Sequence, residues 1–309
     1  LGKIAFVFPG QGAQAVGMGK DAYESNAAAR AIFDRADEVL GFPLAKLAFE
    51  GPDEQLRQTA NTQPALLATS IALLEMYKEQ QVTPDFVAGH SLGEYSALVA
   101  AGVLIFDDAI RLVRARGQFM EQAVPGGQGA MAAVLGADRE ALQALCAEIT
   151  ADNKLVELAN VNCPGQIVVS GSAEGVAELV ERGKEAGAKR VIPLDVSGPF
   201  HSSLMQPAAE ALAVELAKVP FSEAKTPVVA NVHALSVSSG EELRELLVSQ
   251  VVSPVLWEDT IRYLLSEGVD TFVEIGSGTV LAGLIKKIDK SVQVISVNSA
   301  ETAAAGVAQ

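Results

Sequence analysis

Residues 86–102 read FVAGHSLGEYSALVAAG. A short apolar run from Phe86 to Ala88 meets Gly89-His90-Ser91-Leu92-Gly93, and an apolar helical stretch continues from Leu92 to Ala101. Strand, GxSxG and helix in that order make a nucleophile elbow: the turn is sharp enough to expose the serine oxygen, and the flanking glycines let strand and helix approach closely. Ser91 is therefore the predicted nucleophile. The start of the following helix leaves backbone amides unpaired, so the N–H of Leu92 is expected to face an oxyanion formed on a bound acyl group.

Working outward, the same alternation recurs. Ile4 to Phe8 reads as a strand, helices follow through about Gln81, and Phe86 to Ala88 is the next strand. Such alternation predicts a parallel sheet covered by helices. The rhythm changes after Pro125 and the flexible Gly-Gly-Gln-Gly at 126–129. From there the pattern predicts strand 130–136, helix 139–150, strands 156–162 and 166–172, helix 174–187 and strand 189–196. That order, βαββαβ, is the split, ferredoxin-like unit. Beyond Ser197 the larger pattern resumes with helix 204–217, strand 227–232, helices 240–250 and 257–267, strand 271–275, helix 279–287 and strand 292–297. A length of 309 residues suits two domains. The expectation is an α/β protein: an α/β-hydrolase-like large domain with a parallel sheet, residues 1–125 and 198–309, carrying an inserted ferredoxin-like small domain at 126–197. The Ala-rich tail from Ser299 to Gln309 is expected to fray.

Composition narrows the function. With 49% hydrophobic and 20% charged residues the chain is an ordinary globular one. No 18-residue apolar run lacks a charge or a breaker, so no membrane span is expected, and the apolar start is too short for a secretory signal; a cytoplasmic protein is expected. Lys and Arg number 23 against 38 Asp and Glu, a net charge of −15, which argues against nucleic acid as a partner. Cys146 and Cys163 are expected to be reduced thiols. Three histidines without metal-ligand spacing point away from a metal site.

A serine nucleophile needs a base. His201 lies in Ser197-Gly198-Pro199-Phe200-His201-Ser202-Ser203, a polar turn at the predicted domain junction, where a catalytic residue fits. His90, adjacent to Ser91, should point away from it, and His233 falls in a loop after strand 227–232. On the predicted helix 107–120, a step of about 100° per residue puts Arg116 on the apolar side, between Leu112 and Met120, and Arg111 and Arg114 on the other. A buried arginine needs an anion: either a structural ion pair or a clamp for a substrate carboxylate fits. Gly10-Gln11-Gly12-Ala13-Gln14-Ala15 has the GxGxxA spacing of a dinucleotide fingerprint, but Asp34, Asp37 and Glu38 sit in a helical pattern rather than at a strand end. A small-residue loop there can instead offer the Gln11 N–H as a second oxyanion donor.

Taken together, FVFPGQGAQ at 6–14, NTQPAL at 61–66, GHSLGEYSALVAAG at 89–102, RLVRARGQFM at 111–120, GAMAAVLG at 129–136, NVNCPGQIVVSG at 160–171 and FHSSLM at 200–205 resemble, in order, the signatures of the bacterial malonyl-CoA:acyl carrier protein transacylases. The resemblance covers nearly the whole chain. It implies a malonyl group carried on Ser91 from malonyl-CoA to the phosphopantetheine thiol of acyl carrier protein, in fatty acid biosynthesis. His201 would be the base, oriented by the carbonyl of Gln250; the amides of Gln11 and Leu92 would form the oxyanion hole; Arg116 would hold the malonyl carboxylate. His90, Asn160 and Asn162 are further candidate substrate contacts. No cofactor is expected, CoA and phosphopantetheine entering as substrates, and a monomer is expected. Two places depart from the family pattern: Ser277 stands where a proline is usual in Glu274-Ile275-Gly276-Ser277-Gly278, and His233 where an acidic residue commonly follows Asn231-Val232. Neither was expected to touch the chemistry.

An acidic carrier protein meets an acidic enzyme, so docking requires local basic clusters. Lys286, Lys287 and Lys290 form one candidate, with Lys286 and Lys287 as the principal pair, and Lys184, Lys189 and Arg190 another. The rival enzyme reading is a serine esterase or thioesterase with a Ser91-His201-Asp195 triad, since Asp195 lies between the other two in chain order. The non-enzymatic rival is an acyltransferase-like domain that only binds carrier protein or acyl-CoA.

Overall fold

The computed structural model describes residues 2–196 and 198–306. Its strands, in chain order, are β1 Lys3–Phe8, β2 Phe86–Gly89, β3 Gly129–Leu135, β4 Val156–Cys163, β5 Gln166–Ser172, β6 Arg190–Pro193, β7 Val228–Val229, β8 Ser236–Val237, β9 Val255–Leu256, β10 Val269–Ile275 and β11 Gln293–Val297. They make two sheets. The first runs β11-β10-β1-β2-β7-β8, parallel throughout except for the antiparallel pair of β7 with β8. Helices cover both faces, so its central strands are continuously apolar rather than alternating: Ala5, Phe6, Val7 and Phe8 of β1 are all buried. The second runs β6-β3-β5-β4-β9. Its first four strands are mutually antiparallel and, with helices Arg139–Ala151 and Ala173–Arg182, form the βαββαβ unit expected of the sequence. The fold is thus the hydrolase-like α/β sheet with a ferredoxin-like unit inserted.

The small sheet has a fifth member that the sequence did not announce. β9 pairs parallel with β4 at Asn160↔Val255 and Val161↔Leu256, so a strand about 60 residues beyond the insert joins the insert's sheet. Arg139 adds a forked ion pair to Asp259 at 2.7 and 3.1 Å across the same seam.

One helix shows how packing can mend a local fault. Helix Thr59–Tyr77 is buried on nearly every face and contains Pro64. Proline supplies no N–H for the carbonyl four residues back, which here is Ala60. Arg114 on helix Phe106–Gln122 donates to that oxygen at 2.7 Å, and Glu121 accepts the Ala60 N–H at 2.9 Å. Gly117 permits the contact, because a Cβ there would come within 2.7 Å of the Ala60 Cα. This fit fixes Gln63 on one helix against Arg116 on the other.

Five expectations needed correction. Strand 189–196 covers only Arg190–Pro193. Strand 227–232 is only Val228–Val229, because Ala230 and Asn231 leave the ladder to pass beneath the elbow. Helix 174–187 stops at Arg182 and tightens into a 3₁₀ turn at Gly183–Ala186, where a Cβ at Gly183 would meet Val191 at 2.5 Å. Helix 204–217 begins with a 3₁₀ turn, Ser203–Met205. The tail does not fray throughout: Ser299 and Thr302 form a capping box for helix Ala300–Ala303. Residues 307–309 of that tail lie outside the described residues, as does the expected boundary residue at 197.

Among the described residues, no helix is long and apolar enough to cross a membrane, and no group of three or more His, Cys, Asp or Glu is placed to hold a metal ion. Cys146 and Cys163 are free and buried.

Candidate active site

The elbow closes at the C-terminal end of β2, where the helix of residues Gly93–Ala100 begins. Its glycines are sterically required. A Cβ at Gly89 would fall 1.9 Å from the Gly93 carbonyl oxygen, and one at Gly93 would fall 2.1 Å from that of Phe8. Ser91 itself sits at φ 54°, a left-handed conformation that costs a non-glycine residue of order 1 kcal/mol and is held by its surroundings.

Opposite it stands His201, also at positive φ (57°) and 4% exposed. Nε2 is 2.7 Å from the Ser91 Oγ, and Nδ1 is 2.9 Å from the Gln250 carbonyl oxygen. A carbonyl can only accept, so Nδ1 carries the proton and Nε2 is free to take one from the serine. Burial, reinforced by the Arg116 charge, pushes the imidazole pKa down to about 3, which keeps it a neutral base. Asp195 is not part of this arrangement. Its side chain is 99% exposed and lies 3.8 Å from Arg57, while the acceptor at Nδ1 is the Gln250 carbonyl.

Arg116 lies where the helical spacing put it, on the apolar side and 1% exposed, with Arg111 exposed and Arg114 half-buried. Its guanidinium donates to Gln63 Oε1 at 2.7 Å, Gln250 Oε1 at 2.9 Å and Ser91 Oγ at 3.2 Å. All three are neutral oxygens. Among the described residues no carboxylate forms an ion pair with it, and Nε is buried without a partner. Burial lowers its pKa from the usual arginine value, opposed by the nearby Tyr95 and Glu94. A buried cation bonded only to neutral groups has the chemistry to receive an anion.

Gly10 brings the first loop onto the elbow: a Cβ there would lie 2.3 Å from the His90 carbonyl oxygen and 3.6 Å from the Leu92 nitrogen. Among the described residues, the amides of Gln11 and Leu92 donate to no protein acceptor. Both flank the serine. Ser277, a departure from the family pattern that was expected to be remote, reaches this loop by donating from Oγ to the Ala13 carbonyl at 2.8 Å. The dinucleotide reading fails, since Asp34, Asp37 and Glu38 lie within helix Ala27–Leu40.

A cavity of about 240 Å³ opens over Ser91 and His201. One wall is the Gly10–Ala13 loop; the other is the small sheet, with Asn160, Asn162, Gln166 and Val168. His90 also lines it, turned from Ser91 as expected, with Nε2 2.8 Å from Asn162 Oδ1 and its ring 5.5 Å from that of Trp257. Val280, Leu281 and Leu284 close the cavity from helix Val280–Ile288, whose last turn carries exposed Lys286 and Lys287. His233 is half-buried in its loop, where Nδ1 accepts the Leu235 N–H.

Three residues at the site carried no assignment from sequence. Gln63 lay inside the quoted NTQPAL run; Glu94 and Asn231, 2% and 0% exposed, looked like an ordinary first-turn acid and a loop polar residue. Asn231 reaches Glu94, Ser91 and Gly89 across 137 to 142 positions, and Gln63 reaches Arg116 across 53, which no local pattern reveals.

A serine in hydrogen-bond contact with a neutral histidine, two unpaired amides and a buried arginine are the parts that an acyl-transferring serine enzyme requires. The acyl transferase domain family matches residues 5–305, and the chain belongs to that family. It is 55% identical over 302 residues to the malonyl CoA-acyl carrier protein transacylase of Bacillus subtilis (strain 168), covering 98% of this chain and 95% of that one. The malonyl CoA-acyl carrier protein transacylase structure from Coxiella burnetii superposes with a TM-score of 0.95 at 39% identity, over 98% of this chain and 96% of the other. A malonyl-transacylase in complex with its type II PKS acyl-carrier protein superposes at 0.94 with 44% identity, over 97% of each chain.

Proposed function

We propose that this enzyme moves a malonyl group from malonyl-CoA to the phosphopantetheine thiol of acyl carrier protein, in fatty acid biosynthesis. The observation that carries the reading is Arg116, a buried guanidinium with neutral partners only, 3.2 Å from the Ser91 oxygen. A malonyl group is an acyl carbon with a carboxylate two bonds away, so one end meets Ser91 while the other meets Arg116.

The mechanism follows. His201 Nε2 takes the Ser91 proton as Oγ attacks the thioester carbon, and the oxyanion is met by the Gln11 and Leu92 amides. Collapse breaks the C–S bond; the imidazolium returns its proton to sulfur and CoA leaves as thiol. The carrier-protein thiol then gives its proton to His201 and attacks the malonyl-serine ester; the C–Oγ bond breaks, the imidazolium returns the proton to Ser91 Oγ, and the kinetics are ping-pong. Gln250 serves twice: its carbonyl steadies the imidazole and its side chain steadies Arg116. Asn160, Asn162 and His90 would meet the substrate from the small-sheet side.

The esterase alternative with Asp195 is not favoured, given that residue's 99% exposed side chain and the Gln250 carbonyl at His201 Nδ1. We further propose that residues 126–197 act as one inserted domain on a catalytic domain of residues 1–125 and 198–309, which the antiparallel order of β6-β3-β5-β4 supports. Lys286 and Lys287 would receive the acidic carrier protein at the cavity mouth, and the enzyme would work as a cytoplasmic monomer without a cofactor.

Intact-protein mass after mixing with malonyl-CoA or acetyl-CoA tests the reading. Wild type should carry a malonyl adduct that is absent in Ser91→Ala and much reduced in Arg116→Ala. CoA release without an adduct would favour hydrolysis; neither event would favour a binding module.

A further inference from the structure

We infer that Asn231 is a positioning residue for the nucleophile, a brace that spans the elbow and holds Ser91 in its left-handed turn. This rests on the reading of Ser91 as nucleophile. Asn231 Oδ1 accepts the Ser91 N–H at 2.8 Å, and Nδ2 donates to the Gly89 carbonyl at 2.6 Å. One planar amide therefore ties the residue before the turn's entry to the residue at its apex. Ser91 lies past the end of β2 at Gly89 and before the helix that begins at Gly93, so the Asn231 side chain stands in for the ladder or helix partner its N–H lacks.

The brace is itself anchored. Asn231 N–H donates to Glu94 Oε1 at 2.7 Å, and Gln250 Nε2 donates to Ser91 O at 2.9 Å and Glu94 Oε2 at 3.2 Å. Asn231, Glu94 and Gln250 are all at most 2% exposed, so water cannot substitute for any of these bonds. Gln250 continues through Oε1 to Arg116, so the turn that aims the serine and the guanidinium beside it share one buried network. The work needs one arm that accepts and one that donates, which an amide offers at every pH and a carboxyl group only when protonated. An ionised Asp at 231 could accept from Ser91 but would set a carboxylate against the Gly89 carbonyl.

That chemistry gives a test which a merely structural role would not pass. In Asn231→Asp, malonyl transfer to Ser91 measured by rapid quench and intact mass should fall roughly 100-fold at pH 8, the scale of a misplaced reacting group, with KM for malonyl-CoA within about twofold. Acetyl-CoA, which does not use Arg116, should show the same loss. The titratable groups around position 231 are Glu94 on the elbow helix, itself raised to about 7, Arg116 on helix Phe106–Gln122 and His201; burial favours a protonated Asp, which donates like the native amide, and the Arg116 charge opposes it. The ratio of variant to wild-type rate should therefore climb at least tenfold between pH 8 and pH 5.5. Glu94→Gln keeps an acceptor for the Asn231 N–H and should slow acylation less than Asn231→Asp, again without raising KM; it carries the test if Asn231→Asp does not fold. A raised KM with an intact acylation rate in either variant, or an Asn231→Asp ratio independent of pH, overturns the inference. Loss of the wild-type adduct at Ser91 would instead remove the reading beneath it.

Discussion

The two walls of the cavity are built to different tolerances. On the elbow side, Gly89 and Gly93 leave no room for a single methyl group, and Asn231, Glu94 and Gln250 behind Ser91 are buried and hydrogen-bonded to one another and to the turn. On the small-sheet side, Leu194 and Val196 are each 37% exposed, and Asn160 makes no side-chain hydrogen bond among the described residues. One wall is a fixed machine part and the other a surface that side chains can reshape.

The sharpest way to break this contrast is to add one methyl group to each wall. Gly93→Ala should abolish acyl-enzyme formation and lower the Tm by several degrees, since overpacking costs about 1–3 kcal/mol even where side chains can move, and here the obstacle is backbone. Val196→Ile, on the exposed small-sheet side of the cavity, should leave an acylated, folded enzyme; intact mass and a thermal melt decide. Next in size, Arg116→Ala should slow malonyl transfer about 10²- to 10³-fold, the scale for breaking a buried charge pair, and acetyl transfer far less; paired single-turnover assays with the two CoA esters would show it.

A pH series sharpens the comparison further. With the His201 pKa held near 3, acylation should not fall with the midpoint near 6.5 of an ordinary imidazole. The sign for stability follows from the same shift: the folded state keeps His201 neutral while the unfolded chain takes up a proton, so this contribution is present above pH 6.5 and is lost as pH falls from 6.5 toward 3. Wild type should therefore lose Tm relative to His201→Gln on going from pH 7 to pH 5. Glu94 and Glu274, both raised to about 7 by burial, act in the opposite sense, their stabilising protonation being lost as pH rises through 7. They are common to both proteins and cancel in the difference.

Smaller effects belong to the permissive wall and the mouth. Asn162→Ala removes the partner of His90 and should cost a few-fold in kcat/KM for malonyl-CoA, with about 1 kcal/mol of stability. Lys286→Glu with Lys287→Glu should raise KM for carrier protein several-fold, more at low salt, and leave KM for malonyl-CoA unchanged.

The sequence was most legible where a local pattern does the structural work. The elbow, the βαββαβ order and the helical face of Arg116 all follow from spacing within some twenty residues or fewer per element. Pro64 could be read as a helix fault but not its repair, which comes from Arg114 fifty residues on. Glu94 was least legible, because an acid in a helix's first turn ordinarily faces solvent and favours the dipole; only the fold shows that it is buried under Asn231. The short β7 has the same cause: ladder pairing ends early because Asn231 is needed elsewhere.

β9 bears on how such enzymes could be recombined. Because Val255 and Leu256 complete the sheet that residues 129–193 begin, a graft of the insert alone would arrive with an open strand edge on β4 and without Asp259 for Arg139. A chimera that exchanges acyl preference would need two crossovers around the insert and a third exchange near 254–259, making the heritable module discontinuous in the gene though continuous in space.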